Sequence, residues 1–186
     1  VLYDFGDNDR RMLAAHTDAN LNEVARFETR SRLQPHVLPH PLAMRVNGLP
    51  IERLTDTNLP SHYSMVGDIH RTLMSWSPAI FVGFNSIRFD EEMLRHALFQ
   101  SLYPAFLTSN HRNCRADALS LMMAVNAVSP EQLVVLIGEE GQRTFRLHHL
   151  AAANGVVHTH AHDAMSDVLA TVELCRRVYQ RSPELW

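Results

Sequence analysis

The stretch HTHAHDAMSDVLATV, residues 158–172, combines three histidines at alternate positions with two aspartates four residues apart. Three imidazoles on one side of an extended segment could hold a zinc ion. Alternatively, a histidine before a helix and an aspartate on its second turn could act as a general base and a metal ligand, as His162 and Asp167 would. His158 and Asp163 have the same five-residue offset, so spacing alone does not choose between the two pairs.

The residues after Asp167 favour the His162–Asp167 pair. Apolar residues follow at helical spacing and would pack this helix against a sheet: Val168, Leu169, Val172 and Leu174. A helix that starts near Asp163 would aim residues 158 and 162 in different directions, and no cysteine is nearby, which disfavours zinc. We expect His162 and Asp167 to converge at the helix start.

A further acid, Asp90, lies in VGFNSIRFDEEMLRHAL. The preceding run AIFVGFN predicts a strand buried on both faces, and DEEMLRHALFQSLY predicts a helix. Asp90 would then lie at the carboxyl edge of a sheet, where ligands gather in α/β folds. The alternative role is a helix N-cap, worth about 1 kcal/mol. Asp117 and Asp163 are interpreted as structural helix-start residues.

The order of predicted elements indicates an α/β fold with a mixed sheet. VLYDF and RMLAAHT predict a hairpin, and VARFETRSRL predicts a third strand. After a proline-rich connection, Pro60 is the predicted first residue of a helix that ends near Trp76. Three more helices are predicted in ADALSLMMAVNAV, in RLHHLAAAN closed by Gly155, and in DAMSDVLATVELCRRVY with Arg176 and Arg177 in its last turns.

Composition restricts the class of protein. A chain of 186 residues with 46% hydrophobic and 20% charged residues predicts a single globular domain over residues 1–186. No apolar run approaches the roughly 20 residues of a membrane span. The formal net charge is −3 and all 17 basic residues are arginine, so contact with nucleic acid would need a local arginine patch. Two distant cysteines and no signal peptide favour the cytoplasm, and a chain that begins at Val1 has lost at least its initiator.

Three segments resemble one known family. GFNSIRFDEEMLR, TFRLHHLAAANGVVHTHAHDAMSDVLAT and LPHPLAMRVNGLPIERL are similar to the exodeoxyribonuclease I branch of the DEDDh 3′-to-5′ exonucleases, in order from about residue 21 to residue 186. The resemblance implies an RNase H-like (DnaQ-like) fold with a mixed five-stranded sheet. It also implies that Asp90 is the second acidic ligand, His162 the general base and Asp167 the last acidic ligand.

The implied reaction is hydrolysis of the last phosphodiester at a 3′ end of single-stranded DNA, with release of nucleoside 5′-monophosphates. Two Mg²⁺ or Mn²⁺ ions would be the cofactors, because these hard cations prefer carboxylate oxygens. A neutral histidine can accept a proton from the attacking water at physiological pH. RNA ends are an alternative substrate that the sequence does not discriminate.

The first motif of the family departs from its pattern here. The family has Asp-x-Glu on the first strand, whereas this chain has Asp4 followed two residues later by Gly6. Either the hairpin is truly shortened and the metal site defective, or residues between Phe5 and Arg11 are omitted from the sequence. A defective site would predict a protein that binds 3′ ends or a protein partner without efficient cleavage.

The resemblance and the residue types also suggest how substrate is bound. Aromatic side chains could stack on bases and arginines could contact phosphates. The candidates are Met44, Arg45, Phe84, Arg88, Phe89 and Arg146, with Arg112 and Arg115 as further phosphate contacts. The family's additional C-terminal domains, which wrap single-stranded DNA, are expected to be lacking, so a protein partner could supply DNA grip.

Overall fold

The computed structural model describes residues 1–6, 11–39, 41–47, 50–138, 141–157 and 164–186, with only the backbone described at residues 4–6, 43, 46, 47, 164 and 185. The chain begins with three antiparallel strands, β1 (Leu2–Gly6), β2 (Arg11–Thr17) and β3 (Glu23–Arg30). Gly6 is opposite Arg11, so the β1–β2 hairpin is paired up to the residues that flank positions 7–10.

Two parallel strands complete the sheet. β4 (Ile80–Gly83) pairs with β1, and β5 (Cys114–Asp117) pairs with β4, which gives the order β3-β2-β1-β4-β5. The predicted mixed five-stranded sheet is therefore confirmed. A separate two-stranded sheet joins β6 (Leu136–Ile137) to β7 (Arg143–Thr144).

Seven helices lie in the described part of the chain. They are α1 (Pro41–Asn47), α2 (Ile51–Leu54), α3 (His62–Ser75), α4 (Asp90–Gln100), α5 (Ala118–Val128), α6 (Leu147–Ala153) and α7 (Ala164–Arg181). None of these described helices is both long and apolar enough to cross a membrane.

The helices cover the two faces of the sheet. Side chains of α5, α6 and α7 form one hydrophobic cluster with Leu2 and Ala15. Side chains of α3 and α4 form the other with Tyr3, Met12 and Ala14. Because neighbouring strand residues point to opposite faces, β1 contributes Leu2 to one cluster and Tyr3 to the other.

Several predicted boundaries were wrong in detail. Pro60 is not helical: α3 begins at His62, Ser61 caps it by accepting from the Ser64 amide at 3.1 Å, and the Pro60 carbonyl accepts from the Arg32 amide at 3.0 Å. The last helix continues to Arg181, so Arg176 and Arg177 lie before its final turn.

The strand predictions also needed two corrections. β4 is not buried on both faces: Phe81 is buried, but Ile80, which borders a second cavity, is 55% exposed. β5 was not predicted as a strand, since CRAD has no apolar pattern and its first three residues are exposed.

Candidate active site

A cavity of about 280 Å³ lies at the carboxyl end of β4, beside the first two residues of β1. Asp90 from α4 and Asp167 from α7 both border it, together with side chains from β1, β4 and α6. The remaining lining residues are Leu2, Tyr3, Val82, Gly83, Phe84, Phe89, Leu147, Val168 and Thr171. The structure therefore brings together two carboxylates that the sequence singled out from distant parts of the chain.

Asp90 does not have the capping role that was its structural alternative. It is the first residue of α4, and Phe89 occupies the N-cap position without a side-chain capping bond. The Asp90 residue is only 9% exposed, although it borders the cavity. A carboxylate in the first turn is favoured by the helix dipole, so the helix start can hold this charge at the cavity.

Asp117 holds the loop between β4 and α4, which precedes Asp90. Its carboxylate accepts from the backbone amides of Asn85 at 2.9 Å and Ile87 at 3.2 Å, and it caps α5 by accepting from the Leu119 amide at 2.9 Å. The helix-start interpretation of Asp117 is confirmed by the cap. The additional bonds to the β4–α4 loop were not predicted from the sequence, because they join residues about 30 positions apart.

Gly83 allows this loop to close tightly. A Cβ atom at Gly83 would lie 2.3 Å from Cβ of Ser86 and 3.2 Å from the carbonyl oxygen of Tyr3. Ser86 begins a short 3-10 helix, Ser86–Arg88, which leads directly to Asp90. The absence of a side chain at position 83 is therefore what lets the chain turn from β4 into α4 against β1.

Asp167 lies in the first turn of α7, where the helix dipole also favours a carboxylate. Thr171, another cavity residue, donates its hydroxyl to the Asp167 carbonyl at 2.8 Å. The apolar residues predicted to pack this helix do so: Val168, Val172 and Leu174 are buried, and Leu169 is partly buried.

The remaining predicted catalytic residues are His162 and Asp4. His162 and the competing residues His158, His160 and Asp163 lie outside the described residues, so neither the histidine–aspartate pairing nor the zinc alternative is tested. Asp4 lies in β1 opposite Leu13, and β1 pairs with β4 at Leu2.

The predicted substrate residues have different surroundings. Phe84 and Phe89 border the cavity, and Phe89 is 55% exposed, as a stacking surface must be. Arg88 ends the 3-10 helix before Phe89, and Arg146 precedes Leu147. Met44 and Arg45 lie on α1 and are not among the residues that line the cavity.

Arg115 is engaged elsewhere. Its guanidinium lies 3.3 Å from the buried carboxylate of Glu91, which also accepts bonds from Tyr3 and Thr108. Arg115 is therefore a structural partner of Glu91, and the expected phosphate contact of Arg115 stays a prediction. Burial and then the charge of Glu91 raise the pKa of the Tyr3 hydroxyl well above its ordinary value, so Tyr3 is a neutral donor.

The donor chemistry of the cavity fits a divalent cation. Asp90 and Asp167 offer carboxylate oxygens, the ligands that Mg²⁺ and Mn²⁺ prefer. Among the side chains that the structure describes, no group of three or more histidine, cysteine, aspartate or glutamate residues converges on one point. The side chains of Asp4 and His162 are not among the described ones.

The chain is similar to known proteins over almost its whole length. It is 31% identical over 182 residues to exodeoxyribonuclease I of Escherichia coli. The aligned residues make up 97% of this chain and 38% of the relative. No protein-family model matches. The crystal structure of E. coli exonuclease I in complex with a dT13 oligonucleotide has a TM-score of 0.89 at 29% identity, covering 99% of this chain and 41% of the other. An ExoI/SSB-Ct complex has a TM-score of 0.87 at 28% identity with the same shares.

Proposed function

Because this chain is a DnaQ-like exonuclease domain related to exodeoxyribonuclease I, we propose that it removes nucleotides from 3′ ends of single-stranded DNA. Each turnover would hydrolyse the terminal phosphodiester and release a nucleoside 5′-monophosphate. The observation that supports this most directly is the meeting of Asp90 and Asp167 in one cavity at the carboxyl end of β4.

Asp4, Asp90 and Asp167 are proposed to bind two Mg²⁺ or Mn²⁺ ions. When bound, such ions activate water and stabilise the charge that develops on the attacking and leaving oxygens. Asp90 and Asp167 lie in the first turns of α4 and α7, where the helix dipole favours a negative charge. His162 is proposed to accept the proton of the attacking water, a role for which a neutral imidazole is suited near pH 7.

Phe84 and Phe89 are proposed to contact the terminal bases, because both border the cavity and Phe89 is largely exposed. Arg88 and Arg146 would contact phosphates from positions next to cavity residues. Met44 and Arg45 on α1 would contact the terminal nucleotide from outside the cavity lining.

The chain spans about 38% of the length of the curated relative and 41% of the solved structures. We propose that residues 1–186 form a single nuclease domain. A protein partner could then supply DNA grip, and the SSB-Ct complex of the related exonuclease makes a single-strand-binding protein the first candidate. The cytoplasm is the proposed location.

The test is a 3′-to-5′ degradation assay with a single-stranded oligonucleotide labelled at its 5′ end. We expect stepwise shortening with Mg²⁺ or Mn²⁺ and none with excess chelator. His162→Ala should lower the rate by about 100-fold or more, the usual contribution of a general base, without changing the unfolding midpoint. An unchanged rate in this variant would remove His162 from the mechanism, and no shortening by the parent chain would contradict the proposed activity.

A second candidate function follows from Gly6, which stands where the family has glutamate. In this alternative the domain binds 3′ ends or a protein partner without efficient cleavage. It predicts that the oligonucleotide is retained in a gel-shift experiment and is recovered uncleaved. Sequencing the coding DNA between the codons for Phe5 and Arg11 would show whether an Asp-x-Glu is encoded there.

RNA ends are the alternative substrate. A matched RNA oligonucleotide in the same degradation assay would test them.

A further inference from the structure

A buried hydrogen-bond network joins the first strand to the first turn of α4. The Tyr3 hydroxyl donates to Oε1 of Glu91, and the two residues are 3% and 2% exposed. Oε2 of Glu91 accepts from Oγ1 of Thr108 at 2.9 Å and lies 3.3 Å from Nη1 of Arg115. Both carboxylate oxygens of Glu91 are therefore bonded inside the protein.

The two partners of the first bond are chain neighbours of two proposed metal ligands. Tyr3 precedes Asp4 in β1, and Glu91 follows Asp90 in α4. Tyr3 packs in the hydrophobic cluster with α3 and α4, whereas strand alternation predicts that position 4 belongs to the opposite face. The Tyr3–Glu91 bond can thus hold β1 and α4 together on the face of β1 opposite to that of Leu2.

We propose that Tyr3 and Glu91 are positioning residues that set the separation of Asp4 and Asp90 for metal binding. A hydrogen bond to a buried carboxylate is strong and directional, and metal sites require their ligands to be held within about 0.5 Å. Thr108 and Arg115 bond to the other oxygen of Glu91, so Oε1 is the atom through which Glu91 holds β1. This inference rests on the proposed function, because it assigns Asp4 and Asp90 to the same metal site.

The first experiment is a calorimetric titration of the full chain, without DNA, with Mn²⁺. Tyr3→Phe keeps the buried ring and removes only the hydroxyl. We expect it to weaken Mn²⁺ binding about tenfold, the usual effect of removing a group that orients metal ligands. In the degradation assay the same variant should lower kcat while the KM for the oligonucleotide stays within about twofold, because the phenylalanine ring keeps the part of the cavity wall that Tyr3 forms.

Thr108→Val is the matched control. It also removes one hydroxyl bond to Glu91, but Thr108 lies outside β1, so this variant loses no link between β1 and α4. We expect its Mn²⁺ affinity to stay within about twofold of the parent, even if its melting temperature falls as far as that of Tyr3→Phe. Equal losses of metal affinity in the two variants would show that the network contributes only to the stability of the fold, and this result would overturn the proposal.

A comparison at Glu91 provides an independent test. Glu91→Gln keeps an oxygen that can accept from Tyr3, whereas Glu91→Leu removes every acceptor. We expect Glu91→Gln to bind Mn²⁺ more tightly than Glu91→Leu, and equal affinities would contradict the positioning role. If the parent chain itself bound no Mn²⁺, the proposed function and the positioning role would both fall. If the parent bound Mn²⁺ and all variants matched it, only the positioning role would fall.

Discussion

Single residues determine whether the cavity can bind metal. Asp90 and Asp167 supply carboxylates from the first turns of two helices, and Asp4 is the third candidate from β1. Position 6 is where this chain differs from the family, because glycine offers no ligand there. Alternate residues of a strand share a face, so a side chain at position 6 is expected on the same side of β1 as Asp4.

A carboxylate introduced at position 6 is expected to increase nuclease activity. Gly6→Glu should increase the Mn²⁺-supported rate of mononucleotide release by about tenfold or more, a gain of about 1.4 kcal/mol or more in transition-state stabilisation. Gly6→Gln is the matched control, since it adds a side chain of the same size without the charge. The rate would be measured by single-turnover degradation of a labelled oligonucleotide. Equal rates for the two variants would show that a carboxylate at position 6 does not complete the site.

The sequence indicated Asp90 and Asp167 as metal ligands only through the resemblance to a known family, because Asp117 and Asp163 also stand at predicted helix starts. It did not identify the bond between Tyr3 and Glu91, because its partners are 88 positions apart and each has an ordinary local role. Tyr3 reads as part of an apolar strand and Glu91 as one of three acids in a helical first turn. They come into contact because α4 packs against β1 in one hydrophobic cluster.

At the scale of elements, the turn from β4 into α4 is the critical junction. Asp117 bonds to the backbone of this turn, and Gly83 allows Ser86 to pack against the strand. The sequence predicted both β4 and α4 but not how they connect, because Asp117 comes from β5, whose sequence carries no strand pattern. The prediction that β4 is buried on both faces was wrong for a related reason. A cavity borders Ile80 and Val82 on one face, and the apolar sequence pattern does not reveal it.

The junction gives a stability prediction. Gly83→Ala would put a methyl group 2.3 Å from Cβ of Ser86, so the β4–α4 turn must shift. We expect the free energy of unfolding in urea to fall by about 1–3 kcal/mol, the range for overpacking, and nuclease activity to fall with it. Gly138→Ala is the control, because its nearest new contact would be 3.5 Å, and it should change stability by less than about 0.5 kcal/mol. Similar losses in both variants would contradict the steric explanation.

At the scale of the whole molecule, the two hydrophobic clusters share one sheet. Cys175 belongs to the cluster on the α7 side and is 1% exposed, and burial raises the pKa of its thiol to about 12. Cys114, at the start of β5, is exposed. The two thiols therefore differ in accessibility, and Cys175 can react only when the packing of α7 opens.

We expect a thiol reagent at pH 8 to modify Cys114 rapidly in the native protein and Cys175 only in denaturant. The midpoint of Cys175 modification in urea should coincide with the loss of helical circular dichroism, because one sheet joins both clusters. Mass spectrometry of the modified peptides would separate the two sites. Modification of Cys175 well below the helical midpoint would show that the α7 layer opens independently of the rest.

β1 touches both hydrophobic layers through adjacent residues, Leu2 on one side and Tyr3 on the other. The next residue is the proposed metal ligand Asp4. Amino-acid replacements on either side of the sheet can therefore alter catalysis without touching the cavity, by tilting this one strand. During divergence of such domains, core composition and metal affinity should consequently vary together, and transplanting a catalytic motif between relatives would require its supporting core residues as well.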